Sequence, residues 1–304
     1  MNVTKRAVEA YENQEYDTAF SLFKEAVEQE RTVATLTNLA WYYAHEKDDF
    51  EQTVKLAKEA ISLEPNLHFS YSLLGETYVR MGKWKKAAGI LPDALARGAG
   101  DESRYNLGVT HYKQGQYKIA AHYFNGVSNE QPYARYAEAY THLKAGNVDA
   151  AKETITRIPV GEGEEIYQAD LADLYLEVGD LADSLHWFGE TWKTYAKSPS
   201  WVSRYAYLLT KLNQSNQAKT MLDLCITDVK EEWQETKEAV EEPGYWEPGE
   251  KEEFLNDLQK EIQEYQTLLS RMEEGYVPSM DFDLSFLTKC HLYGCTHHGH
   301  KEID

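Results

Sequence analysis

An internal repeat with a period of 33 residues constrains this chain more than any other feature of its sequence. The stretch 71–91, YSLLGETYVRMGKWKKAAGIL, aligns with the stretch 104–124, RYNLGVTHYKQGQYKIAAHYF. Both carry a Leu-Gly pair near the start, a glycine in the middle and an alanine after that glycine. Repetition at this kind of period is typical of solenoids, in which each repeat packs mainly against its neighbours.

Each copy of the repeat predicts a hairpin of two short amphipathic helices. Apolar residues recur at three- and four-residue intervals, and a turn residue separates the two helices. Small residues inside the helices allow them to approach closely, where a leucine would wedge them apart. The turn residues are Gly82, Gly115, Gly146, Gly179 and Asn213. The small residues of the first helices are Gly75, Gly108, Ala139, Ala172 and Ala206.

This pattern resembles the tetratricopeptide repeat, whose signature is W-x2-L-G-x2-Y, then A-x3-F, then P. In the fourth copy the matching residues are Leu107, Gly108, Ala120, Phe124 and Pro132. About seven copies in phase cover residues 3–227, and the fifth carries Glu138 at the leucine position. The resemblance implies an all-α fold, a right-handed superhelical solenoid of about seven helix-turn-helix repeats.

The composition changes after the repeats. Residues 228–264 contain fourteen Asp or Glu and four Lys, a net charge of −10. The sequence EEPGYWEPGEKEE predicts a loop because it holds two Pro-Gly pairs. Residues 251–274 predict one amphipathic helix that is apolar inward and polar outward, as the end of a solenoid requires. We therefore predict an acidic loop and capping helix over 228–274, followed by a Cys/His-rich C-terminal tail over 275–304.

Net charge and cysteine usage indicate the compartment and the partners. The formal charge of −20 repels phosphate backbones and anionic lipids, which argues against nucleic acid and membrane partners. The N-terminal residues carry no apolar stretch typical of an export signal, and no run of residues is apolar enough to span a bilayer. Three cysteines without an export signal favour a reducing, cytoplasmic location. Cys225 falls at a small-residue position and is predicted to be buried.

Catalytic signatures are missing from the sequence, so we expect a protein that is not an enzyme. The stretch GEGEE at 161–165 carries acids where a phosphate loop needs none, and neither GxSxG nor HExxH occurs. Some members of the family grip chaperone C-termini through asparagine and basic residues on adjacent repeats. Asn38 and Asn106 match the asparagine position, but Leu73 stands between them and the basic partners are missing. Binding of a chaperone tail is therefore not expected, and neither is the DNA binding of another family branch.

The resemblance implies a concave face lined by first helices, and this face is the predicted site for a protein or peptide partner. Aromatic side chains with a polar tip supply contact area at low entropy cost. The alternative is that they serve packing alone, since the chain contains 22 tyrosines. The predicted partner-binding residues are Trp41, Arg80, Tyr105, Tyr112, Lys113, Tyr136, Tyr140, Lys144 and Tyr207.

Three functional hypotheses follow. The first is a non-catalytic scaffold or adaptor that binds a protein or peptide on the concave face. The second is an acidic inhibitor or immunity-type protein that neutralises a basic toxin or enzyme, as the charge of −20 suggests. The third is a metal-dependent enzyme that uses the tail as an open site.

The tail sequence KCHLYGCTHHGH indicates a metal site, because thiolates and imidazoles are the ligands that zinc takes in tetrahedral geometry. The predicted ligands of a closed structural zinc site are Cys290, Cys295, His298 and His300. His291 and His297 are alternative donors. An unliganded polar tail and a Cys290–Cys295 disulfide are the competing interpretations. Leu284, Phe286 and Leu287 are expected to pack the tail on the capping helix.

Overall fold

The computed structural model of the protein describes residues 2–128, 131–159, 165–195, 197–239, 246–280, 282 and 284–300. Over these ranges every regular element is an α-helix, and there are fifteen of them. The predicted all-α fold is therefore confirmed. In the described part of the chain, no helix combines the length and the apolar character that crossing a bilayer requires.

The chain divides into two compact units, and unit 1 comprises Met1–Asn147 together with Leu284–Asp304. Its helices are α1 (Val3–Glu12), α2 (Tyr16–Gln29), α3 (Val33–Glu46), α4 (Phe50–Ser62), α5 (Phe69–Arg80), α6 (Trp84–Ala96), α7 (Asp101–Lys113), α8 (Tyr117–Asn125) and α9 (Pro132–Lys144). The helices α1, α3, α5 and α7 each pack against the helix that follows them. These four hairpins correspond to the first four predicted repeats.

Unit 2 comprises Val148–Asp283, so the array predicted as continuous over 3–227 falls into two units. Its helices are α10 (Val148–Ile155), α11 (Glu165–Glu177), α12 (Leu181–Thr191), α13 (Pro199–Lys211), α14 (Ser215–Glu238) and α15 (Glu250–Glu273). The predicted boundary at residue 227 lies inside α14, which continues into the acidic segment. The helix predicted over 251–274 is α15, and it packs on α13 and α14 as a capping helix should.

The turns inside the hairpins use left-handed backbone at the predicted positions. The glycines at 82, 115, 146 and 179 have φ between +65° and +79°, and Asn213 has φ +59°. Gly82 shows how such a turn ends a helix, because its N–H donates to the Val79 carbonyl at 2.9 Å. The next N–H, of Lys83, donates to the Tyr78 carbonyl at 2.8 Å. Glycine adopts this conformation without the steric penalty of a side chain.

Two glycines inside first helices mark the closest approach between hairpin partners. A Cβ atom at Gly75 would lie 2.3 Å from Cδ2 of Leu91, and one at Gly108 would lie 2.6 Å from the Phe124 ring. Leu91 and Phe124 are completely buried. The predicted role of these small residues is thus visible as direct contact between the glycine backbone and the facing side chain.

We expect Gly108→Ala to lower the free energy of unfolding of unit 1 by about 1 to 3 kcal/mol, because the buried Phe124 ring cannot move away freely. Urea unfolding followed by helical circular dichroism measures the loss. Gly89→Ala in α6 is the matched control, since its Cβ would meet no atom within 4 Å. That variant should be stabilised by up to about 1 kcal/mol through helix propensity. A loss at Gly108 no larger than at Gly89 would contradict the packing described here.

In the fifth repeat, Glu138 stands where the pattern expects leucine, and it forms a buried ion pair. Arg135 and Glu138, both in α9, are almost completely buried and their side chains pair. Nη2 of Arg135 also donates to the carbonyls of Phe124, Asn125 and Val127 at 3.1, 3.0 and 2.6 Å. These carbonyls lie at the C-terminal end of α8. The Arg135 side chain therefore caps the C-terminal end of α8.

Candidate functional site

The C-terminal residues of unit 1 lie across its first helices. Residues 284–300, which we call the docked segment, meet α7 at Leu287 and α3 at Tyr293, and Thr296 meets α1. The segment thus crosses the helices in the reverse of their order in the chain. The residues expected to pack on the capping helix belong to unit 1, whereas that helix belongs to unit 2, so this expectation stays a prediction. The surface it covers, called here the first-helix face, is formed by Glu12, Asn38, Trp41, Glu76, Glu102 and Asn106.

Two asparagines hold the main chain of the docked segment. Nδ2 of Asn38 donates to the Tyr293 carbonyl at 3.1 Å, and the Tyr293 N–H donates to Oδ1 of Asn38 at 2.7 Å. Asn106 binds Leu287 in the same way. Its Nδ2 donates to the Leu287 carbonyl at 2.7 Å, and the Leu287 N–H donates to its Oδ1 at 2.8 Å. Asn38 and Asn106 are both buried. Each asparagine therefore satisfies both the donor and the acceptor of one peptide residue, irrespective of that residue's side chain.

Carboxylates on the first-helix face add further main-chain contacts. Glu12 accepts hydrogen bonds from the N–H and the hydroxyl of Thr296 at 2.6 and 2.8 Å. Glu76 accepts the Lys289 N–H at 3.3 Å, while the Trp41 indole N–H donates to the Lys289 carbonyl at 3.3 Å. The main chain of the docked segment is therefore bound at α1, α3, α5 and α7.

The side chains of Lys289 and His291 in the docked segment lie beside carboxylates of the first-helix face. Nζ of Lys289 lies 2.8 Å from Glu102, and Nε2 of His291 lies 3.5 Å from Glu76. Burial alone would raise the pKa of Glu102, but the Lys289 ammonium outweighs burial and the pKa is lowered. The pKa of the buried Glu76 is lowered against the effect of burial as well, through His291 and His45. Both groups are therefore carboxylates at neutral pH, and both face positive or hydrogen-bonding groups of the segment.

Apolar contacts anchor the middle of the docked segment. Leu292 is completely buried in the hydrophobic core that α1 to α7 form. Tyr293 is 1% exposed, and its ring lies 4.7 Å from that of Phe69 in α5. Burial of side chains of this size is worth about 1.5 to 3 kcal/mol each relative to exposure. The segment is thus integrated into the core of unit 1 and is not a frayed end.

Three of the four predicted metal ligands converge. The ligand atoms of Cys290, Cys295 and His298, which we call the Cys/His triad, all lie within 4.8 Å of one another. Sγ of Cys295 is 3.1 Å from Nδ1 of His298. Left-handed backbone at Gly294 and Gly299 turns the chain around the triad. Two thiols and an imidazole at these distances suit zinc, which takes sulfur and nitrogen ligands in tetrahedral geometry.

The fourth predicted ligand, His300, lies beside the triad. Its Nδ1 is 2.8 Å from the Leu292 carbonyl, and its ring centroid is 5.6 Å from that of His298. All three cysteines are free thiols. Burial raises the pKa of the Cys290 thiol to about 12, and the neighbouring Cys295 adds to the effect. Cys225, as expected, is buried in the core of unit 2, where burial raises its pKa to about 11.

The residues predicted to bind a partner occupy several environments. Trp41 contacts the docked segment, because its indole N–H donates to the Lys289 carbonyl. The Tyr112 and Tyr140 rings lie 6.0 Å apart, and Nζ of Lys144 lies 5.0 Å from the Tyr140 ring. The buried members are Trp41, Tyr105, Tyr136 and Tyr140; those partly exposed are Arg80, Tyr112 and Tyr207; those exposed are Lys113 and Lys144. Whether they contact a partner stays a prediction.

Sequence reasoning missed most residues of the first-helix face. Asn38 and Asn106 stand at equivalent repeat positions, but Leu73 interrupts the series and the basic residues of a chaperone-tail site are missing. Glu76 and Glu102 follow no periodic pattern that would distinguish them from solvent-exposed acids. The usable signal was the recurrence of a buried asparagine at one repeat position, since a buried amide requires hydrogen-bond partners.

One stretch of the chain matches a known family in sequence. Residues 72–134 match the family described as tetratricopeptide repeat. None of the curated proteins compared with the chain matches it in sequence. Together with the helical hairpins, the match supports a tetratricopeptide repeat protein.

Solved structures support the same fold. The C-terminal part of a tetratricopeptide repeat-containing protein from Cytophaga hutchinsonii is 13% identical, with a TM-score of 0.59, and the match covers 72% of this chain and 93% of that one. A tetratricopeptide repeat protein from Parabacteroides merdae is 15% identical, with a TM-score of 0.55 and coverage of 86% and 97%. Pseudomonas aeruginosa pilF is 15% identical, with a TM-score of 0.51 and coverage of 74% and 97%. At these identities the similarity is one of fold.

Proposed function

We propose that this tetratricopeptide repeat protein is a non-catalytic interaction scaffold, and that the first-helix face of unit 1 binds an extended peptide segment of a protein partner. Proteins of this architecture use their extended surfaces for protein binding. The observation that carries the proposal is the pair Asn38 and Asn106, each of which holds both polar groups of one peptide residue. Because these contacts involve only the main chain, the face is suited to segments other than its own tail.

The predicted aromatic and basic residues remain part of this proposal as secondary contacts. Trp41 lies on the first-helix face itself. Lys113 and Lys144 are exposed at the ends of α7 and α9, where a longer partner segment would reach them. Cytoplasmic location and the alternative of an acidic inhibitor both stay predictions.

A peptide-binding assay on the full-length protein tests the proposed face. The probe is a fluorescent peptide of residues 284–294 with serine in place of Cys290, LSFLTKSHLYG, which keeps both clamped residues. Leu292→Asp in the protein weakens its own docked segment, because the aspartate cannot be buried in the core. We expect the probe to bind this variant. Adding Asn38→Ala and Asn106→Ala should weaken binding by about a hundredfold, since four hydrogen bonds of about 0.5 to 1.5 kcal/mol each are lost.

The control for these substitutions is Asn216→Ala, which changes an exposed asparagine on α14. It should leave binding of the probe unchanged. Circular dichroism checks that each variant keeps its helix content. If the Leu292→Asp variant retains its helices and does not bind the probe, the first-helix face is not a peptide site.

We propose in addition that the Cys/His triad binds one zinc ion. The support is the convergence of Cys290, Cys295 and His298 within 4.8 Å. Three protein ligands leave one coordination position, which water or the neighbouring His300 would fill. Zinc there would cross-link the docked segment and so have a structural role. A reducing compartment would keep both cysteines available as ligands.

The zinc content of the protein should depend on the three residues of the Cys/His triad. Protein purified without chelator is expected to carry about one zinc per chain, and Cys295→Ser or His298→Ala should reduce this to less than about 0.2. Elemental analysis of untagged protein measures it. His297→Ala is the matched control, because His297 is the exposed neighbour of His298 and lies outside the triad. Equal zinc content in the His297 and His298 variants would contradict the assignment.

A further inference from the structure

We propose that the docked segment is a resident ligand held on the first-helix face by metal at the Cys/His triad. We further infer that its release admits a partner segment with basic side chains at the positions of Lys289 and His291. The proposal deepens the peptide-binding function proposed above and rests on it. It identifies both the partner chemistry and the condition under which the face becomes accessible.

The docked segment and a partner would compete for the same groups. The side-chain amide of Asn38 hydrogen-bonds the main chain of Tyr293, and that of Asn106 hydrogen-bonds the main chain of Leu287. Leu292 and Tyr293 also fill the apolar part of the face, where they are 0% and 1% exposed. A second main chain cannot take these positions while the segment is in place. Binding of a partner therefore requires release of the segment.

The triad is placed so that a metal ion favours the docked state. Cys290 precedes the buried pair Leu292–Tyr293, whereas Cys295 and His298 follow it. An ion bound by all three would close a short loop around these anchors, and loop closure removes conformations that a released segment would otherwise explore. Cys295 is 3% exposed and belongs to the core of unit 1. The triad therefore takes its ligand geometry in the same conformation that buries the anchors.

Charge defines which partner fits the vacated face. Release of the segment removes the Lys289 ammonium from Glu102 and the His291 imidazole from Glu76. An incoming segment without cations would leave the partly exposed Glu102 without an ammonium partner and the buried Glu76 with His45 alone. Loss of a partner is costly for a buried charge. A lysine or arginine opposite Glu102 and a second donor opposite Glu76 avoid that cost. The net charge of −20 would also accelerate the encounter with a basic partner.

Binding of the same LSFLTKSHLYG probe to full-length protein, with and without zinc, tests the proposal. Zinc-loaded wild type, dialysed free of excess metal, should bind the probe at least tenfold more weakly than zinc-free wild type. The double variant Cys290→Ser/Cys295→Ser should bind equally well under both conditions. A probe carrying Lys289→Glu should bind that double variant at least tenfold more weakly than the original probe.

Hydrogen exchange of the full-length protein without probe gives an independent measurement. Removal of zinc should accelerate exchange of the Leu287 and Tyr293 amides at least fivefold, because each donates to an asparagine only while docked. The amide of Leu222, in the core of unit 2, is the control and should not change.

The outcomes separate this proposal from the one on which it rests. Equal probe affinity and equal amide exchange with and without zinc would overturn the proposal that metal holds the docked segment. Binding of the probe to the Leu292→Asp variant would still support the peptide site. Failure of the probe to bind that variant would overturn both. Equal affinity for the original probe and the probe carrying Lys289→Glu would overturn the proposed preference for a basic partner segment.

Discussion

Replacing Arg135 with methionine is expected to destabilise unit 1 by about 3 to 5 kcal/mol. Glu138 is 2% exposed and would lose its nearest ion-pair partner, while it keeps Nδ2 of Asn125 at 2.9 Å and Nε2 of His142 at 3.9 Å. The carbonyls of Phe124, Asn125 and Val127 would lose a shared donor at the same time. A buried charge without a partner is far more costly than the ion pair is favourable. Urea unfolding of the full chain, with hydrogen exchange to locate the change in unit 1, measures the loss.

The double variant Arg135→Met/Glu138→Leu distinguishes this reason from simple loss of packing. It removes both charges and restores leucine at the position where the repeat pattern expects it, so much of the lost stability should return. Arg31→Met is the matched control, since Arg31 makes a bidentate pair with Glu59 in an exposed position. It should cost less than about 1 kcal/mol. A double variant as unstable as the single one would show that the charge left on Glu138 is not the cause.

The contribution of Asp170 to the stability of unit 2 is expected to fall as pH rises from about 4 to about 7. Burial, assisted by Asp173, raises the pKa of Asp170 in α11 from 3.8 to about 7. Between these pH values the folded state keeps the proton on Asp170, whereas the unfolded chain releases it. Unfolding therefore becomes more favourable as the pH rises. The full effect, reached above the folded-state pKa, is at most about 4 kcal/mol. Asp170→Asn should remove most of this pH dependence.

Urea unfolding of wild type and Asp170→Asn at pH 5 and pH 8 measures the difference, with hydrogen exchange in α11 and α13 to assign it to unit 2. The variant should gain stability relative to wild type on going from pH 5 to pH 8. Asp223→Asn, at an exposed position of α14, is the control and should follow the wild-type profile. Parallel pH profiles for wild type and Asp170→Asn would contradict the assignment.

The helical hairpins could be predicted from sequence because their determinants are local. Gly75 and Gly108 recur at the repeat period, and each contacts a side chain in the very next helix. The turn residues likewise act within a few positions of themselves. Glu138 shows the limit of such reasoning, because it departs from the pattern yet is satisfied by Arg135 three residues earlier. A comparison of the repeats position by position does not reveal that a charged residue at one position is paired with a charged residue at another.

The first-helix face could not be predicted in the same way, because its contacts join distant parts of the chain. Asn38 meets Tyr293 across 255 residues, and Asn106 meets Leu287 across 181. Main-chain recognition leaves little trace in the side chains of the bound segment. The tail sequence alone indicates the ligand types of the proposed zinc site, but the turns at Gly294 and Gly299 determine which donors converge.

The placement of the docked segment has a consequence for synthesis of the protein on the ribosome. Hairpins α1 to α8 can fold as they emerge, because each packs mainly on its sequence neighbours. The segment that covers them begins only at Leu284, after all of unit 2 has been made. At roughly 5 to 20 residues per second, translation from Asn147 to Leu284 takes on the order of 10 s. During that interval every nascent chain carries an uncovered first-helix face, so a partner that binds co-translationally would meet no competitor.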